Sequence, residues 1–512
     1  MSMTSRAAGG VSYILLGSTV QTLLRFVVIG VLARHLSPAD FGIVAAAMIV
    51  VSVIDLEGAL GIAPALIQRK ELEPRHLETG QLLALLVAIV LAGGLYLAAG
   101  TISRLLSITQ SAEALRVLCL VVLLRTAVSV SEALLYRKLL FRRIAAVQVI
   151  SYFTGYALIG VGLALVGFGY WSLVYAEVAQ AVVLCILYVW QSPPPTRLGL
   201  DRAAARELLG FGISISAAKL LRQMIFAFDQ AVVARLFGAA PLGFYVRAQG
   251  TTFRPINALG GAIESVLFPM MATIQNDTDR VRTIFVRGMA IYCAFVLPVV
   301  ASSAVLSYEL IYILLGRGWD EAALLMQLLA AGFFFRTANR LCATILKSRG
   351  KAAWLLLLQI EHALVVSVGV LVGARFGIEG VAIGASVAQL VHFLSGLVLV
   401  FWNIGGGWRR LGRALAGTVP VSAGPVLLGA ACHAALISAG APWALTFGLS
   451  GALIGFAWTA MIFFIPLQVL GDEGRWLLQA LSSFVPRALP MSAGIRKRIA
   501  RSGTASPGVN LS

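Results

Sequence analysis

Charge is scarce in this chain of 512 residues. Asp, Glu, Lys and Arg together make up 12% of it, where a soluble domain carries about 25%. Acids are scarcer still, 22 against 40 basic residues. The resulting net charge of +18 would suit a nucleic-acid binder. The cations, however, fall mainly in short segments between long apolar runs and form no basic domain, which excludes that function. Cysteine is also sparse. Cys119, Cys185, Cys293, Cys342 and Cys432 all lie in apolar runs and none belongs to a CxxC, so neither a disulfide framework nor a zinc site is expected. No GxxxxGK[ST], GxSxG or HExxH occurs, which removes the P-loop, the serine nucleophile and the catalytic metal. The segments between apolar runs are too short to hold a catalytic domain. No enzyme activity, cofactor or metal is expected.

What the chain has in abundance is apolar sequence: 59% hydrophobic residues and a mean hydropathy of +0.90. Fourteen runs can be marked, at about 10–33, 40–67, 80–103, 112–134, 144–166, 170–190, 208–236, 241–272, 287–315, 322–346, 352–374, 379–402, 414–438 and 443–468. Most are about 20 residues or longer, enough to cross roughly 30 Å of hydrocarbon as a helix. The expected fold is an all-α polytopic membrane protein with about fourteen transmembrane helices. Basic residues crowd alternate loops, as at Arg69, Lys70 and Arg75, at Arg137, Lys138, Arg142 and Arg143, and at Arg409, Arg410 and Arg413. The opposite loops carry only Arg34, Arg104, Arg235, Arg317 and Arg375. The positive-inside rule places both termini in the cytoplasm, and an even number of spans agrees. The start, Met1 to Arg6, has no small-residue cleavage site and reads as part of a retained first helix.

An internal repeat organises the runs. Val31–Gly42 (VLARHLSPADFG) aligns without gaps on Val232–Gly243 (VVARLFGAAPLG), and Phe168–Gln180 aligns on Phe376–Gln389 with one residue of slippage. Both offsets equal six spans, so the copies share one orientation. This predicts a six-helix lobe over 1–190, a linker over 191–207 and a second six-helix lobe over 208–403, arranged as parallel repeats around a central cavity. Two further helices follow over 404–470, then a basic, partly disordered cytoplasmic tail over 471–512. The piece at 201–209 reads as a short amphipathic surface helix.

Charges inside apolar spans cost about 2.5–3.5 kcal/mol each on insertion scales and therefore need a role. Seven cations stand out: Arg25, Lys219, Arg222, Arg247, Arg254, Arg336 and Arg340. Lys219 and Arg222 are spaced i,i+3, Arg247 and Arg254 i,i+7, and Arg336 and Arg340 i,i+4, so each pair shares a helix face. One reading is a hydrated cationic cavity for an anionic substrate. The other is that the cations pair with buried acids and lock helices together. Asp55, Glu57, Asp229 and Glu361 are those acids, and also candidates for ion coupling, because a buried carboxylate can exchange protons. His362, His392 and His433 also lie in spans, and each reads as a structural hydrogen-bonding group.

Several stretches together resemble a known family: Val31–Gly42 (VLARHLSPADFG), Leu135–Arg143 (LYRKLLFRR), Gly167–Val174 (GFGYWSLV), Leu242–Gln249 (LGFYVRAQ), Gly260–Asp277 (GGAIESVLFPMMATIQND) and Leu314–Trp319 (LLGRGW). In this order the chain resembles polysaccharide flippases of the multidrug/oligosaccharidyl-lipid/polysaccharide exporter superfamily, in particular bacterial exopolysaccharide and lipopolysaccharide exporters. The resemblance implies two six-helix lobes around a cationic cavity and transfer of an undecaprenyl-diphosphate-linked oligosaccharide across the bacterial inner membrane. It also places Arg25, Lys219, Arg222, Arg247 and Arg254 on cavity-lining helices. Partners implied are that lipid, membrane lipids and a polymerase and co-polymerase of the same pathway, with a monomeric transporter and no nucleic acid. An ion gradient, the membrane potential and downstream polymerisation all remain open as energy sources. The competing functions are a cation-coupled drug antiporter of the same superfamily, which calls for an acidic cavity, and a membrane glycan polymerase, which calls for large periplasmic loops.

Overall fold

The computed structural model describes residues 3–54, 61–69, 71–195, 197–274 and 276–464. Asp55, Glu57, the side chain of Arg254 and the basic tail lie outside the described residues. Among the described residues all regular structure is helical. The helices are α1 (Met3–His35), α2 (Pro38–Ile54), α3 (Ile62–Gln68), α4 (Pro74–Leu105), α5 (Ser111–Ala127), α6 (Ser129–Arg137), α7 (Phe141–Tyr152), a π-helix (Phe153–Gly160), α8 (Val161–Leu165) and α9 (Trp171–Gln191). They continue as α10 (Arg202–Phe237), α11 (Ala239–Thr273), α12 (Thr278–Val305), α13 (Ser307–Leu315), α14 (Asp320–Ser348), α15 (Ala352–Gly373), a 3-10 turn (Ala374–Phe376), α16 (Gly377–Asn403), α17 (Trp408–Ser438) and α18 (Trp443–Phe464). Nine helical stretches among the described residues are long and apolar enough to cross a membrane.

The outer faces of these helices explain why the chain needs a bilayer. Leu97 on α4, Trp190 on α9, Leu364 on α15 and Phe456 on α18 are all exposed. In water such surfaces would associate; hydrocarbon accepts them, while each helix satisfies its own backbone groups. Several apolar runs prove to be subdivided: the run at 40–67 holds α2 and α3, and the run at 112–134 breaks at Val128 between α5 and α6. The run at 287–315 breaks at Leu306 between α12 and α13, and the run at 144–166 contains the π-helix. Gly155 and Gly160 bring that π-helix against α9: a Cβ on Gly155 would lie 2.6 Å from the Ala176 carbonyl oxygen. The amphipathic piece expected at 201–209 is not separate from the span that follows. Asp201 caps α10, its Oδ1 accepting from the Ala204 N–H at 2.9 Å, and the helix runs unbroken to Phe237. Glu207 on its first turns bonds Arg69 at 2.6 Å and His76 at 3.3 Å, and these two donors, Arg69 foremost, hold its carboxyl below the usual range.

The chain divides into two compact units. The first comprises Met1–Ala248, Ile311–Leu325 and Val366–Gly384; the second comprises Gln249–Leu310, Met326–Val365 and Ala385–Ser512. Within the second, α17 packs on α12 and on α18, around Leu306, Val426 and Ile454.

Within the first unit, four of the stretches that carry the family resemblance converge. Ser37 and Asp40 form a reciprocal cap on α2: Asp40 Oδ2 accepts from the Ser37 N–H at 2.8 Å, and Ser37 Oγ accepts from the Asp40 N–H at 3.2 Å. Pro38 takes the first helical position, where its missing N–H costs nothing. Asp40 Oδ1 also accepts from the Tyr170 N–H at 3.0 Å. Buried Trp319 donates from Nε1 to the Ala33 carbonyl at 3.2 Å and meets Phe41 and Phe244 edge-on at 5.4 and 5.7 Å.

Contacts at this knot are reciprocal between sequence-aligned positions. A Cβ on Gly42 would overlap the Ala239 carbonyl, and a Cβ on Gly243 would overlap the Pro38 carbonyl; Gly42 aligns with Gly243 and Pro38 with Ala239. Arg34 donates to the Ile313 carbonyl at the end of α13 at 2.8 Å. Its aligned partner Arg235 donates to Ser107 Oγ at 2.6 Å and to the Arg104 carbonyl at 3.3 Å at the end of α4. Guanidinium donors suit these positions because the last carbonyls of a helix lack partners and carry the negative end of its dipole.

Candidate functional site: cations on aromatic rings

The helices place the expected cations in different chemical settings. In the first unit, Arg25 on α1 lies over the Tyr152 ring, 5.1 Å from its centroid. Tyr152 stacks on Tyr156 of the π-helix with centroids 4.9 Å apart and planes 15° from parallel. Arg247 on α11 sits 4.9 Å over the Phe41 ring and within electrostatic reach of both tyrosines. Tyr156 lies within electrostatic reach of Glu177, whose Oε2 is 3.4 Å from Arg125 Nη2. Arg125 and Glu177 therefore offset each other's charge. Nε of Arg25 and Nε of Arg247 are buried and meet no acceptor among the described residues.

That combination has a definite chemical use. An aromatic face supports a guanidinium by roughly 0.5–2 kcal/mol without consuming its N–H donors. The planar fork stays available for an oxyanion with several oxygens, the geometry of phosphate. A π-helical turn beside the site is a common feature of functional positions.

The remaining expected residues are placed less uniformly. Lys219 is half-buried and Arg222 exposed on α10. Asp229 is buried and engaged, with Oδ2 accepting from the Tyr245 hydroxyl and Oδ1 from the Gln230 N–H, both at 2.8 Å. In the second unit, Arg336 lies 4.9 Å over the Phe253 ring. Arg340 is paired twice with Glu264 Oε2, donating from Nε at 2.8 Å and with Nη2 at 2.7 Å, and donates to Asn257 Oδ1 at 2.7 Å. Glu361 accepts from His392 at 2.7 Å. Sequence reasoning missed Tyr152, Tyr156, Phe41 and Phe253, because aromatics in apolar runs read as packing. The i,i+4 spacing of the two tyrosines was the one available cue.

The Arg340–Glu264 pair supplies a direct prediction. Arg340→Leu should lower thermal stability by about 1 kcal/mol, the loss of a charge-assisted pair, kept small because Arg340 is 37% exposed and Glu264 retains Lys347 at 3.7 Å. Arg340→Leu with Glu264→Leu should recover most of that loss in a melting assay. A double variant as unstable as the single one would show that the pair is not the source.

Comparison with known proteins fixes the class. A similar solved structure is the lipid II flippase MurJ in an inward closed conformation, with a TM-score of 0.70 and 11% identity, covering 87% of this chain and 98% of that one. Another is an inward-facing multidrug resistance MATE family transporter of the MOP superfamily, with a TM-score of 0.56 and 17% identity, covering 77% and 96%. The chain shares the multi-pass helical fold of these membrane proteins. Residues 31–324 match the family described as polysaccharide biosynthesis protein. The chain is 30% identical over 358 residues to the succinoglycan biosynthesis transport protein ExoT of Rhizobium meliloti (strain 1021), spanning 69% of this chain and 72% of that protein. It is 23% identical over 418 residues to the lipopolysaccharide biosynthesis protein WzxC of Escherichia coli (strain K12), spanning 80% and 84%. The chain belongs to the polysaccharide biosynthesis protein family.

Proposed function

We propose that the protein flips an undecaprenyl-diphosphate-linked oligosaccharide repeat unit across the bacterial inner membrane, for synthesis of an exopolysaccharide, capsule or lipopolysaccharide. The observation that carries this reading is the pair Arg25 and Arg247, held on aromatic rings with buried N–H groups that meet no acceptor. A diphosphate supplies the oxygens those donors require. Lys219, Arg222, Arg254, Arg336 and Arg340 are the further candidates for binding the substrate. The polyprenyl tail stays in the bilayer as the head group crosses.

Transport proceeds by alternating access of two six-helix lobes, 1–190 and 208–403, with about fourteen spans and both termini in the cytoplasm. The reciprocal contacts of Gly42 and Gly243 and of Arg34 and Arg235 support the repeat on which this arrangement rests. Asp55, Glu57, Asp229 and Glu361 are the candidates for ion coupling. A polymerase and co-polymerase would consume the product.

The test is reconstitution in vesicles with a fluorescent undecaprenyl-diphosphate oligosaccharide, followed by the fraction accessible to a membrane-impermeant quencher. Protein-dependent equilibration between leaflets is expected, inhibited by the same lipid unlabelled. Equal rates with and without protein, or equal transport of a lipid lacking the diphosphate, would refute the reading.

A further inference from the structure

Helices α14, α15 and α16 hold a polar cluster in the second unit that the cation site does not use. The stretch Ala353–Asn403 has a mean hydropathy of 2.2 over its most apolar part, yet Glu361, His362, His392 and Ser395 lie in it, and Asn339 of α14 meets them. His392 is buried. Its Nδ1 is 2.7 Å from Glu361 Oε2 and its Nε2 is 2.6 Å from Asn339 Nδ2. Ser395 Oγ donates to Glu361 Oε1 at 3.2 Å. The His362 ring stacks on the His392 ring, centroids 4.0 Å apart and planes 10° from parallel. Asn339 Oδ1 is buried and meets no partner among the described residues. Glu361 and Ser395 border a cavity of about 430 Å³ whose other walls are Leu357, Leu358, Val391, Leu394, Val398 and Leu399, so no other polar side chain faces the carboxylate there.

The hydrogen bonds match one protonation state. Nδ1–H of His392 donates to the Glu361 carboxylate, and Nε2 accepts from the Asn339 amide. In that state the imidazole is neutral and the pair carries one negative charge. A proton added at Nε2 turns that nitrogen into a donor. Rotation of the Asn339 amide about its last torsion then presents Oδ1, the atom now without a partner, as the acceptor. The product is an imidazolium bonded to a carboxylate, with no net charge and no buried oxygen of Asn339 left unpaired. One proton enters, nothing leaves and no other reactant is needed. A neutral pair suits a low-dielectric site better than a lone carboxylate.

We propose that Glu361, His392 and Asn339 form a one-proton binding site whose occupancy controls the transport step. Hard metal cations take six or more oxygen ligands, whereas this cluster offers few oxygens beside two imidazoles, a donor set for a proton. The other charged or titratable groups facing it are His362 from α15 and Arg336 from α14, whose charge acts on His362. Arg340, also on α14, is turned to Glu264. The link to transport rests on the flippase reading; the proton site does not.

The chain has 5 histidines, few enough for nitrogen NMR of histidine-labelled protein in nanodiscs. Across the pH range in which the protein stays folded, one ring should convert from the neutral tautomer protonated at Nδ1 to the doubly protonated form. That signal should vanish in His392→Gln, persist in His433→Gln and fail to convert over the same range in Glu361→Gln. A His392 ring that holds one protonation state throughout overturns the proton site, whether or not lipid is flipped. In the vesicle assay, the ratio of flipping rates at about pH 6 and pH 8, which brackets histidine titration, should collapse to one in Glu361→Gln. An unchanged ratio in a variant that has lost the NMR transition overturns the link to transport.

Discussion

Arg247→Ala is expected to abolish polymer export while the protein still folds and reaches the membrane. The substitution removes a guanidinium whose structural contact is the Phe41 ring, an interaction worth roughly 0.5–2 kcal/mol. The substrate would lose charge-assisted hydrogen bonds of about 1.5–3 kcal/mol each, a factor of roughly 10 to 150 per bond. Arg247→Lys keeps the charge but not the planar fork, so it should retain partial activity. Arg25→Ala should behave like Arg247→Ala, and the double variant should show no export above background. The measurement is complementation of an export-deficient strain, normalised to membrane protein level, alongside vesicle flipping. Full export from the double variant would remove both arginines from the substrate site.

Gly42→Val and Gly243→Val should each destabilise the protein severely. At both positions an added Cβ would overlap a backbone carbonyl, of Ala239 and of Pro38 respectively. No rotamer change relieves such an overlap, so the N-terminal turns of α2 and α11 must separate and disturb the packing of Phe41, Phe244 and Trp319. Overpacking a core costs about 1–3 kcal/mol, and these positions belong at the upper end. Even Gly42→Ala should lower the melting temperature. Gly93→Ala and Gly94→Ala are the controls: both sites on α4 open onto free space, and alanine favours the helix by up to about 1 kcal/mol. A Gly42→Ala protein melting with the Gly93→Ala protein would show that the two turns are not in contact.

The two predictions draw on different kinds of legibility. The aligned stretches Val31–Gly42 and Val232–Gly243 were visible as a repeat before any coordinates. Their meaning was not, because the touching atoms are backbone carbonyls and absent side chains, which a one-letter pattern does not record. The same holds for Asp40. Three residues after Ser37 it reads as a helix cap, but its second bond, to the Tyr170 N–H, crosses 130 residues of chain.

The cations show the same division more sharply. All seven could be selected from sequence, since charge within an apolar run is a local property. Their chemical states could not. Arg340 is neutralised by Glu264, 76 positions earlier; Arg247 rests on Phe41; and Arg25 rests on a tyrosine pair aligned by a π-helical turn. His392 reads as one of several histidines in apolar runs. It becomes a candidate proton site only because Glu361 and Asn339 close on its two nitrogens from different helices.

By itself the sequence determined that this is an all-helical, membrane-embedded chain of the polysaccharide biosynthesis protein family, with cations where hydrocarbon should exclude them. Hydropathy sums along the chain, so segments about 20 residues long settle membrane insertion one helix at a time. Tertiary structure alone decided which of those cations are paired, which rest on rings with donors to spare, and which glycines serve as contact points. Pairing and close approach depend on distances of a few ångströms between residues remote in sequence, and only the folded chain sets those distances.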